Sequence, residues 1–263
     1  MPRGIEQGQW PAPRPLLPPA LRRPAAVLVT VCVAVTVSLA LAFTGEARAD
    51  GLDAAVDAHI RSGLGQYEVQ LRQLAGLGGL APVAALTAAL VLACLAARRW
   101  RGAALVGFAV PAAVALTEFV LKPLVGRTIG GNPCFPSGHT TAVIALAVTC
   151  AVLLAGPARP RRLPGAVRLL LALGAGLVAA AVAIAVVARG YHYFTDTVAG
   201  TAVGAGMVLL AALLIDLAAQ PPWAWRRSRR PGEAAVTSRP DPRSMTGHPV
   251  AGEASRRAAG PAA

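Results

Sequence analysis

Charged residues, and acidic ones above all, are scarce in this chain of 263 residues. Only 14% of the residues are charged, and 12 Asp and Glu stand against 25 Lys and Arg, for a net charge of +13. Hydrophobic residues make up 55% of the sequence, and the mean hydropathy is +0.56. Because the apolar residues also fall into long runs with almost no charge, an ordinary soluble domain is excluded.

Cysteine is rare as well. Three of the four cysteines fall inside apolar runs and are interpreted as small packing residues: Cys32, Cys94 and Cys150. Cys134 lies outside the runs, without a partner at disulfide or metal-ligand spacing, and is interpreted as structural. The cysteines therefore indicate no metal site, and no cofactor is expected.

Six apolar runs are each close to the ~20 residues that cross the hydrocarbon core of a bilayer. They cover residues 25–43, 80–97, 103–121, 140–155, 169–188 and 197–218. A single run of this kind can also be a buried helix of a soluble protein, but six in succession disfavour that alternative. The predicted fold class is all-α, an integral membrane bundle of six transmembrane helices.

Arginine clusters explain the positive charge by topology. They precede the first run, separate the second from the third and the fourth from the fifth, and follow the sixth, so all fall on one side. By the positive-inside rule this side is cytoplasmic, together with both termini. The charge then requires no nucleic acid partner, and the bilayer with its anionic headgroups is the expected partner.

The runs divide the chain into three parts. Residues 1–24 and 219–263, rich in proline and arginine, are predicted to be disordered cytoplasmic tails, and residues 25–218 form the membrane domain. The first run with Ala47-Arg48-Ala49 also fits a cleaved signal peptide, but its length favours a retained anchor.

Residues 50–79 form the one sizeable external segment. Its apolar residues recur every four positions, opposite a polar face. The apolar face comprises Leu52, Val56, Ile60 and Leu64, and the polar face Asp53, Asp57 and His59. This pattern indicates a helix that lies along the outer membrane surface, covers a site as a lid, or connects two spans and packs on its neighbours.

Ionisable residues appear at the outer end of the third run. Glu118 and Lys122 are four residues apart in the acid-first order that favours a helical ion pair, and Arg127 follows in a glycine-rich loop. Charges at membrane depth are costly and are functional candidates by default. The alternative for Lys122 is a side chain that only extends to the membrane–water interface and has no role in a site.

Two further segments belong to the same outer face. The first is Pro136-Ser137-Gly138-His139, where Ser137 is a plausible helix N-cap that leaves backbone N–H groups for an anion. The alternative is an ordinary helix start.

The other segment contains Arg189, His192 and Asp196, between the fifth and sixth runs. Because His192 and Asp196 are four residues apart, the carboxylate is expected to accept a ring proton and fix the imidazole tautomer. A surface histidine beside a capping Asp is the alternative.

Together the three segments resemble the type-2 phosphatidic-acid phosphatase superfamily of membrane lipid phosphatases. Its motifs run Lys-(x)6-Arg-Pro, Pro-Ser-Gly-His and Ser-Arg-(x)5-His-(x)3-Asp, and the resemblance covers residues 103–218 well. It implies that His192 is a nucleophile that forms a phosphohistidine, oriented by Asp196, and that His139 protonates the leaving oxygen. It also implies that Lys122, Ser137 and Gly138 hold the phosphate.

The chain departs from these motifs at both arginines. The motif positions are occupied by Ile129 and Val186, and the available arginines, Arg127 and Arg189, are displaced by two and three residues. We expect both to contribute to phosphate binding from their shifted positions.

The resulting prediction is a metal-independent enzyme that hydrolyses a membrane lipid phosphate or diphosphate on the extracytoplasmic face. A lipid phosphotransferase with the same intermediate is one alternative, and a non-catalytic membrane scaffold or transporter is another. A vanadate-using oxidase, which the soluble relatives include, is disfavoured by the six spans.

Overall fold

The computed structural model describes residues 15–156 and 163–219. Within them the chain is helical apart from loops and one short hairpin. The helices are α1 (Pro19–Ala42), α2 (Gly51–Leu64), α3 (Glu68–Leu77), α4 (Leu80–Ala96), α5 (Trp100–Ala115), α6 (Lys122–Val125), α7 (Gly138–Ala155), α8 (Gly165–Ala188) and α9 (Phe194–Ala218). A 3-10 turn (Gly65–Tyr67) joins α2 to α3, and a π-helical segment (Leu116–Leu121) joins α5 to α6. Strands β1 (Thr128–Ile129) and β2 (Asn132–Pro133) pair antiparallel.

Five helical stretches are long and apolar enough to cross a membrane: α1, α5 continued to Val125, α7, α8 and α9. Helix α4 passes the same test only together with the preceding α2–α3 stretch, from which it is bent by 46°. The predicted all-α, multi-pass membrane bundle is confirmed, with five to six spans in the described part of the chain.

Helix α9 lies at the centre of the bundle. It packs against α1, α5 and α7, and α7 packs in turn against α8. Helices α7 and α9 approach closely at Gly200, where a Cβ atom would lie 2.7 Å from the carbonyl oxygen of Ser137. The absence of a side chain at Gly200 therefore allows the start of α7 to lie directly on the start of α9, and these two starts carry the predicted site.

The boundary predicted for the N-terminal tail is wrong. Helix α1 begins at Pro19 instead of residue 25, and the preceding backbone is held by a buried carboxylate near the end of α9. Asp216 accepts the N–H groups of Leu16 and Leu17 at 2.7 and 2.9 Å. Burying these N–H groups without acceptors would be costly, so Asp216 fixes the entry into the bundle. Apart from residues 15–24 and 219, the predicted tails lie outside the described residues.

Arginines collect at the end of the bundle opposite the predicted site. Arg22 and Arg101 lie 3.8 and 3.9 Å from Asp216. Arg99 and Arg168 donate to carbonyl oxygens at the end of α7. These arginines come from the starts of α1, α5 and α8, so the prediction that the basic clusters share one side is confirmed for them.

Helix α2 buries its acidic face more deeply than its apolar face. Its buried residues are Asp53 and Asp57, whereas Leu52 is 55% exposed. The acidic face turns inward because it meets the N-terminus of α9, where backbone N–H groups lack helical partners and carboxylates are stabilised by the helix dipole. Of the predicted alternatives, the structure supports a connecting helix packed on its neighbours.

Candidate active site

Ser137 starts α7 as the sequence predicted. Its hydroxyl oxygen accepts the N–H of Thr140 at 3.3 Å, and its own N–H donates to the carbonyl oxygen of Asp196 at 3.0 Å. The two bonds fix the start of α7 against the start of α9. Because the serine oxygen acts as the acceptor, the hydroxyl proton stays available to donate to a ligand.

Glu118 and Lys122 form the predicted ion pair. Lys122 Nζ lies 2.8 and 2.7 Å from the two carboxylate oxygens of Glu118, which belongs to the π-helical segment. The carboxylate reaches the first turn of α7: a Cβ on Gly138 would clash with Glu118 Oε1 and would lie 3.8 Å from Lys122 Nζ. A carboxylate therefore occupies the N-terminal end of α7, where the helix dipole favours an anion.

His192 is oriented by a backbone carbonyl. Its Nδ1 atom lies 2.8 Å from the carbonyl oxygen of Cys134, whereas the nearest carboxylate oxygen of Asp196 is 3.8 Å away. A carbonyl oxygen only accepts, so the proton of the neutral ring is on Nδ1 and the lone pair is on Nε2. The predicted hydrogen bond from the His192 ring to Asp196 is wrong, and the carbonyl of Cys134 performs the role of fixing one tautomer that Asp196 was expected to perform.

Asp196 has other partners. Its Oδ1 atom accepts from Arg127 Nη1 at 2.7 Å, and its Oδ2 atom accepts the N–H of Tyr193 at 2.9 Å. The second bond caps α9, because Asp196 lies in the first turn and its carboxylate folds back to the residue before the helix. The carboxylate is thus held in the helix start and does not reach the imidazole.

His139 faces His192 across the site. The two ring centroids are 6.1 Å apart, and the ring planes are inclined by 61°. His139 is the second residue of α7 and is half-buried, whereas His192, in the loop before α9, is 6% exposed. The two imidazoles are therefore close enough to act on the same ligand.

Arg127 lies in the interior instead of the phosphate-binding position that the sequence suggested. Its side chain is completely buried, with Nη2 2.6 Å from Asp53 Oδ2 and Nη1 2.7 Å from Asp196 Oδ1. The guanidinium stacks on the rings of Phe43 and Tyr193, at 3.9 and 4.3 Å from their centroids. Burial by itself would lower the pKa of Arg127, but the two carboxylates outweigh it and raise the pKa above its ordinary value.

Arg189 is engaged at the edge of the site. Its Nη1 atom lies 2.9 Å from Glu68 Oε1, and its guanidinium lies 5.7 Å from the centre of the Tyr191 ring. Val186, at the position of the missing motif arginine, is fully buried against α3. Neither of the displaced arginines therefore has the phosphate-facing position that was expected of it.

Cys134 supports the site through its backbone. Its N–H donates to the carbonyl oxygen of Arg127 at 3.0 Å, and its own carbonyl oxygen orients His192. Burial, followed by the charge of Asp196 and a hydrogen bond to it, raises the pKa of the Cys134 thiol. The thiol is thus protonated and unreactive, which agrees with a structural role.

The structure brings Lys122, Ser137, Gly138, His139 and His192 together at one end of the bundle. Sequence reasoning missed the two residues that hold this arrangement from outside the motifs, Asp53 and the carbonyl of Cys134. The buried carboxylate had a detectable signal, because Asp53 is one of the few acidic residues of the chain. No sequence signal identifies the carbonyl of Cys134, since every residue has a backbone carbonyl.

These features define a multi-pass membrane protein in which two histidines lie close together at one end of the bundle. Residues 111–219 match the sequence model of the PAP2 superfamily, and this region contains Lys122, Ser137, Gly138, His139 and His192 but not Asp53. The predicted similarity to the superfamily is thereby confirmed. No curated protein matches the chain by sequence.

A crystal structure of a transmembrane PAP2-type phosphatidylglycerolphosphate phosphatase from Bacillus subtilis has the same fold. The TM-score is 0.54 at 16% sequence identity, over 78% of this chain and 97% of the other.

Proposed function

We propose that the protein is a membrane lipid phosphatase that works through a phosphohistidine on His192. The observation that carries this proposal is the pair of imidazoles 6.1 Å apart, of which His192 has its proton on Nδ1. The unprotonated Nε2 is a nucleophile, and the neighbouring imidazole of His139 is a proton donor for the leaving group. The match of residues 111–219 to the PAP2 superfamily supports the same chemistry.

In the first step Nε2 of His192 attacks phosphorus, and the bond from phosphorus to the lipid oxygen breaks. His139, in its protonated form, gives its proton to that oxygen, so the alcohol or the shorter phosphate leaves neutralised. In the second step His139 takes a proton from water, the hydroxide attacks phosphorus, and the bond to Nε2 breaks. Inorganic phosphate is released, and both histidines return to their starting states.

The phosphate is held at the start of α7. Lys122 supplies a positive charge, Ser137 a hydroxyl proton and Gly138 a backbone N–H at the positive end of the helix. The phosphate takes the place of the Glu118 carboxylate, which now lies against Gly138 and binds Lys122. Lysine and backbone donors provide the charge compensation, so the reaction is metal-independent. Arg127 acts at a distance, by holding Asp196 and the start of α9.

A lipid substrate is supported by an apolar groove of about 220 Å³ beside the site. Side chains of α1, α9 and the π-helical segment form its walls, among them Val33, Val203 and Leu121. Leu121 directly precedes Lys122 in the chain, so the groove has one wall next to the helical turn that carries this lysine. The positive-inside rule, applied to the arginines at the opposite end, supports a site on the extracytoplasmic face and termini in the cytoplasm.

The test is phosphate release by the detergent-purified protein from phosphatidic acid, phosphatidylglycerol phosphate and a polyprenyl diphosphate, with and without a chelator. We expect release from at least one of them, unchanged by chelation and abolished by His192→Ala. The exposed His59 provides the matched control, His59→Ala, which should retain full activity.

Each other outcome has its own meaning. Activity lost on chelation would contradict the metal-free mechanism, and wild-type rates from His192→Ala would contradict the nucleophile. A phosphorylated acceptor in place of free phosphate would identify a phosphotransferase. No reaction with any substrate would favour a scaffold or transporter.

A further inference from the structure

Two carboxylates of the external helix α2 are completely buried, and the mechanism above uses neither. Asp53 Oδ1 accepts the N–H of Thr195 at 2.8 Å, and Asp53 Oδ2 accepts the Thr195 hydroxyl at 2.8 Å. One turn further along α2, Asp57 Oδ1 accepts the N–H of Phe194 at 3.1 Å. The first N–H groups of α9, which lack helical partners, are thus satisfied by a helix more than a hundred residues earlier in the chain.

Asp53 is also linked, through Arg127, to the carbonyl that orients the His192 ring. Its Oδ2 atom lies 2.6 Å from Arg127 Nη2, and the carbonyl oxygen of Arg127 accepts the N–H of Cys134 at 3.0 Å. The carbonyl of Cys134 in turn accepts the Nδ1 proton of His192. One carboxylate therefore restrains both the loop that carries His192, through Thr195, and the carbonyl that orients its ring.

The charges explain why this contact matters. Arg127 is buried between two carboxylates, Asp53 and Asp196, and a buried cation that loses one of them has no water to replace it. The guanidinium would then move towards the remaining carboxylate, and the loop from Arg127 to Cys134 would follow.

Other contacts tie the external segment to the same place. A Cβ on Gly78, at the end of α3, would lie 2.9 Å from Cβ of His139. A Cβ on Gly190, two residues before His192, would lie 3.8 Å from Arg61 Nη1 of α2. The segment formed by α2 and α3 therefore packs beside His139 and beside the loop of His192, as well as against α9.

We propose that Asp53 is a positioning residue that sets the tautomer and orientation of His192 through Arg127 and Thr195, and that helix α2 is thereby part of the active site. The inference rests on the proposed function for its kinetic consequence. Its structural consequence, the state of the His192 ring, does not depend on any substrate.

The experiment compares Asp53→Asn with the wild type. Kinetically, kcat should fall by about 100-fold, because misplacing a reacting group by about 1 Å costs that much. The KM should stay within about 2-fold, since Lys122, Ser137 and Gly138 are untouched. In ¹⁵N-histidine-labelled protein, the wild-type His192 should show a protonated Nδ1 and an unprotonated Nε2, and Asp53→Asn should show a mixture of tautomers.

A matched control is Asp50→Asn, which removes a charge from the same turn of α2. Asp50 is exposed and caps its own helix by accepting the N–H of Asp53, without reaching α9. It should leave kcat and the His192 spectrum unchanged. Thr195→Val provides a second, milder variant in case Asp53→Asn does not fold, because it keeps the backbone bond to Asp53 and removes only the hydroxyl contacts. It should lower kcat by about 5-fold with the same spectral change.

An unchanged His192 spectrum in folded Asp53→Asn and Thr195→Val would overturn the inference, as would an equal loss of kcat in Asp50→Asn. A wild type that shows the expected tautomer but hydrolyses none of the lipid phosphates would instead overturn the proposed function and leave the positioning role standing.

Discussion

The Nδ1 atom of His192 donates its proton to the backbone carbonyl oxygen of Cys134 across 2.8 Å. A backbone group performs the task that a carboxylate performs in many histidine sites. Because the acceptor is a backbone atom, the orientation of the His192 ring does not depend on the side chain of Cys134.

Replacing Cys134 by alanine should therefore preserve catalysis. The carbonyl remains, and the thiol loses only its bond to Asp196, so we expect kcat within about 3-fold of wild type and a stability loss of about 1 kcal/mol. Phosphate release and thermal unfolding in detergent measure the two effects. Cys150→Ala, in the middle of α7, is the control. A loss of kcat beyond 10-fold at unchanged stability would mean that the thiol itself takes part.

The Cys134 thiol should resist alkylation in the folded protein. Burial and the nearby carboxylate raise its pKa, so the thiol remains protonated at pH 8, where an ordinary cysteine begins to ionise. Mass spectrometry after iodoacetamide treatment should show modification only once denaturant is added. Rapid alkylation of the native protein would contradict the buried, neutral thiol.

Glu118→Gln should strengthen phosphate binding. The substitution removes the carboxylate that lies against Gly138 and binds Lys122, so an incoming phosphate meets an uncompensated cation. The partly exposed pair is worth ~1 kcal/mol, which corresponds to a fall of about 5-fold in the inhibition constants of phosphate and vanadate. The exposed Glu46 provides the control, Glu46→Gln, with unchanged constants. Weaker inhibition of Glu118→Gln would show that the carboxylate supports the phosphate site.

The two displaced arginines should behave differently. Arg127→Ala leaves two buried carboxylates without their cation and should cost about 3–5 kcal/mol of stability. Arg189→Ala removes a surface ion pair with Glu68 and should leave stability almost unchanged and KM within about 2-fold of wild type. Thermal unfolding and steady-state kinetics separate the two. A large rise of KM for Arg189→Ala would assign this arginine to the substrate phosphate after all.

The apolar groove should discriminate between lipids by chain length. Val33 lines it from α1, and Val33→Trp should fill part of it. Losing two buried methylene groups of the substrate costs ~1.6 kcal/mol, so KM for a long-chain lipid phosphate should rise by roughly 10-fold. A short, water-soluble phosphate ester should be hydrolysed as before. Val31→Trp, equally exposed on α1 but outside the groove, is the control. Equal effects on both substrates would remove the groove from substrate binding.

The membrane spans and part of the candidate site could be predicted from the sequence, because these features depend on residues that are neighbours along the chain. Hydropathy identifies the spans, since a bilayer excludes charge over a fixed length. The cap at Ser137 and the pair of Glu118 with Lys122 depend on residues three and four positions apart, a distance that helix geometry fixes in advance.

The predictions were wrong where a residue had more than one possible partner and the packing of the helices decided between them. His192 and Asp196 have the right spacing for a hydrogen bond, but Asp196 lies in the first turn of α9 and is drawn to the helix start and to Arg127. Helix α2 carries its leucines on one face, yet the strong demand for acceptors at the start of α9 turns its acidic face inward.

The sequence by itself thus determined the solvent in which the chain folds, the segments that carry the candidate site residues and the end of the bundle at which they meet. Only the tertiary structure decided which acceptor holds His192 and which carboxylates hold Arg127. Those partners are 58, 69 and 74 residues apart. Pairings at that separation follow from how the helices pack and from the cost of leaving a buried charge or N–H group unsatisfied, and no local spacing encodes them.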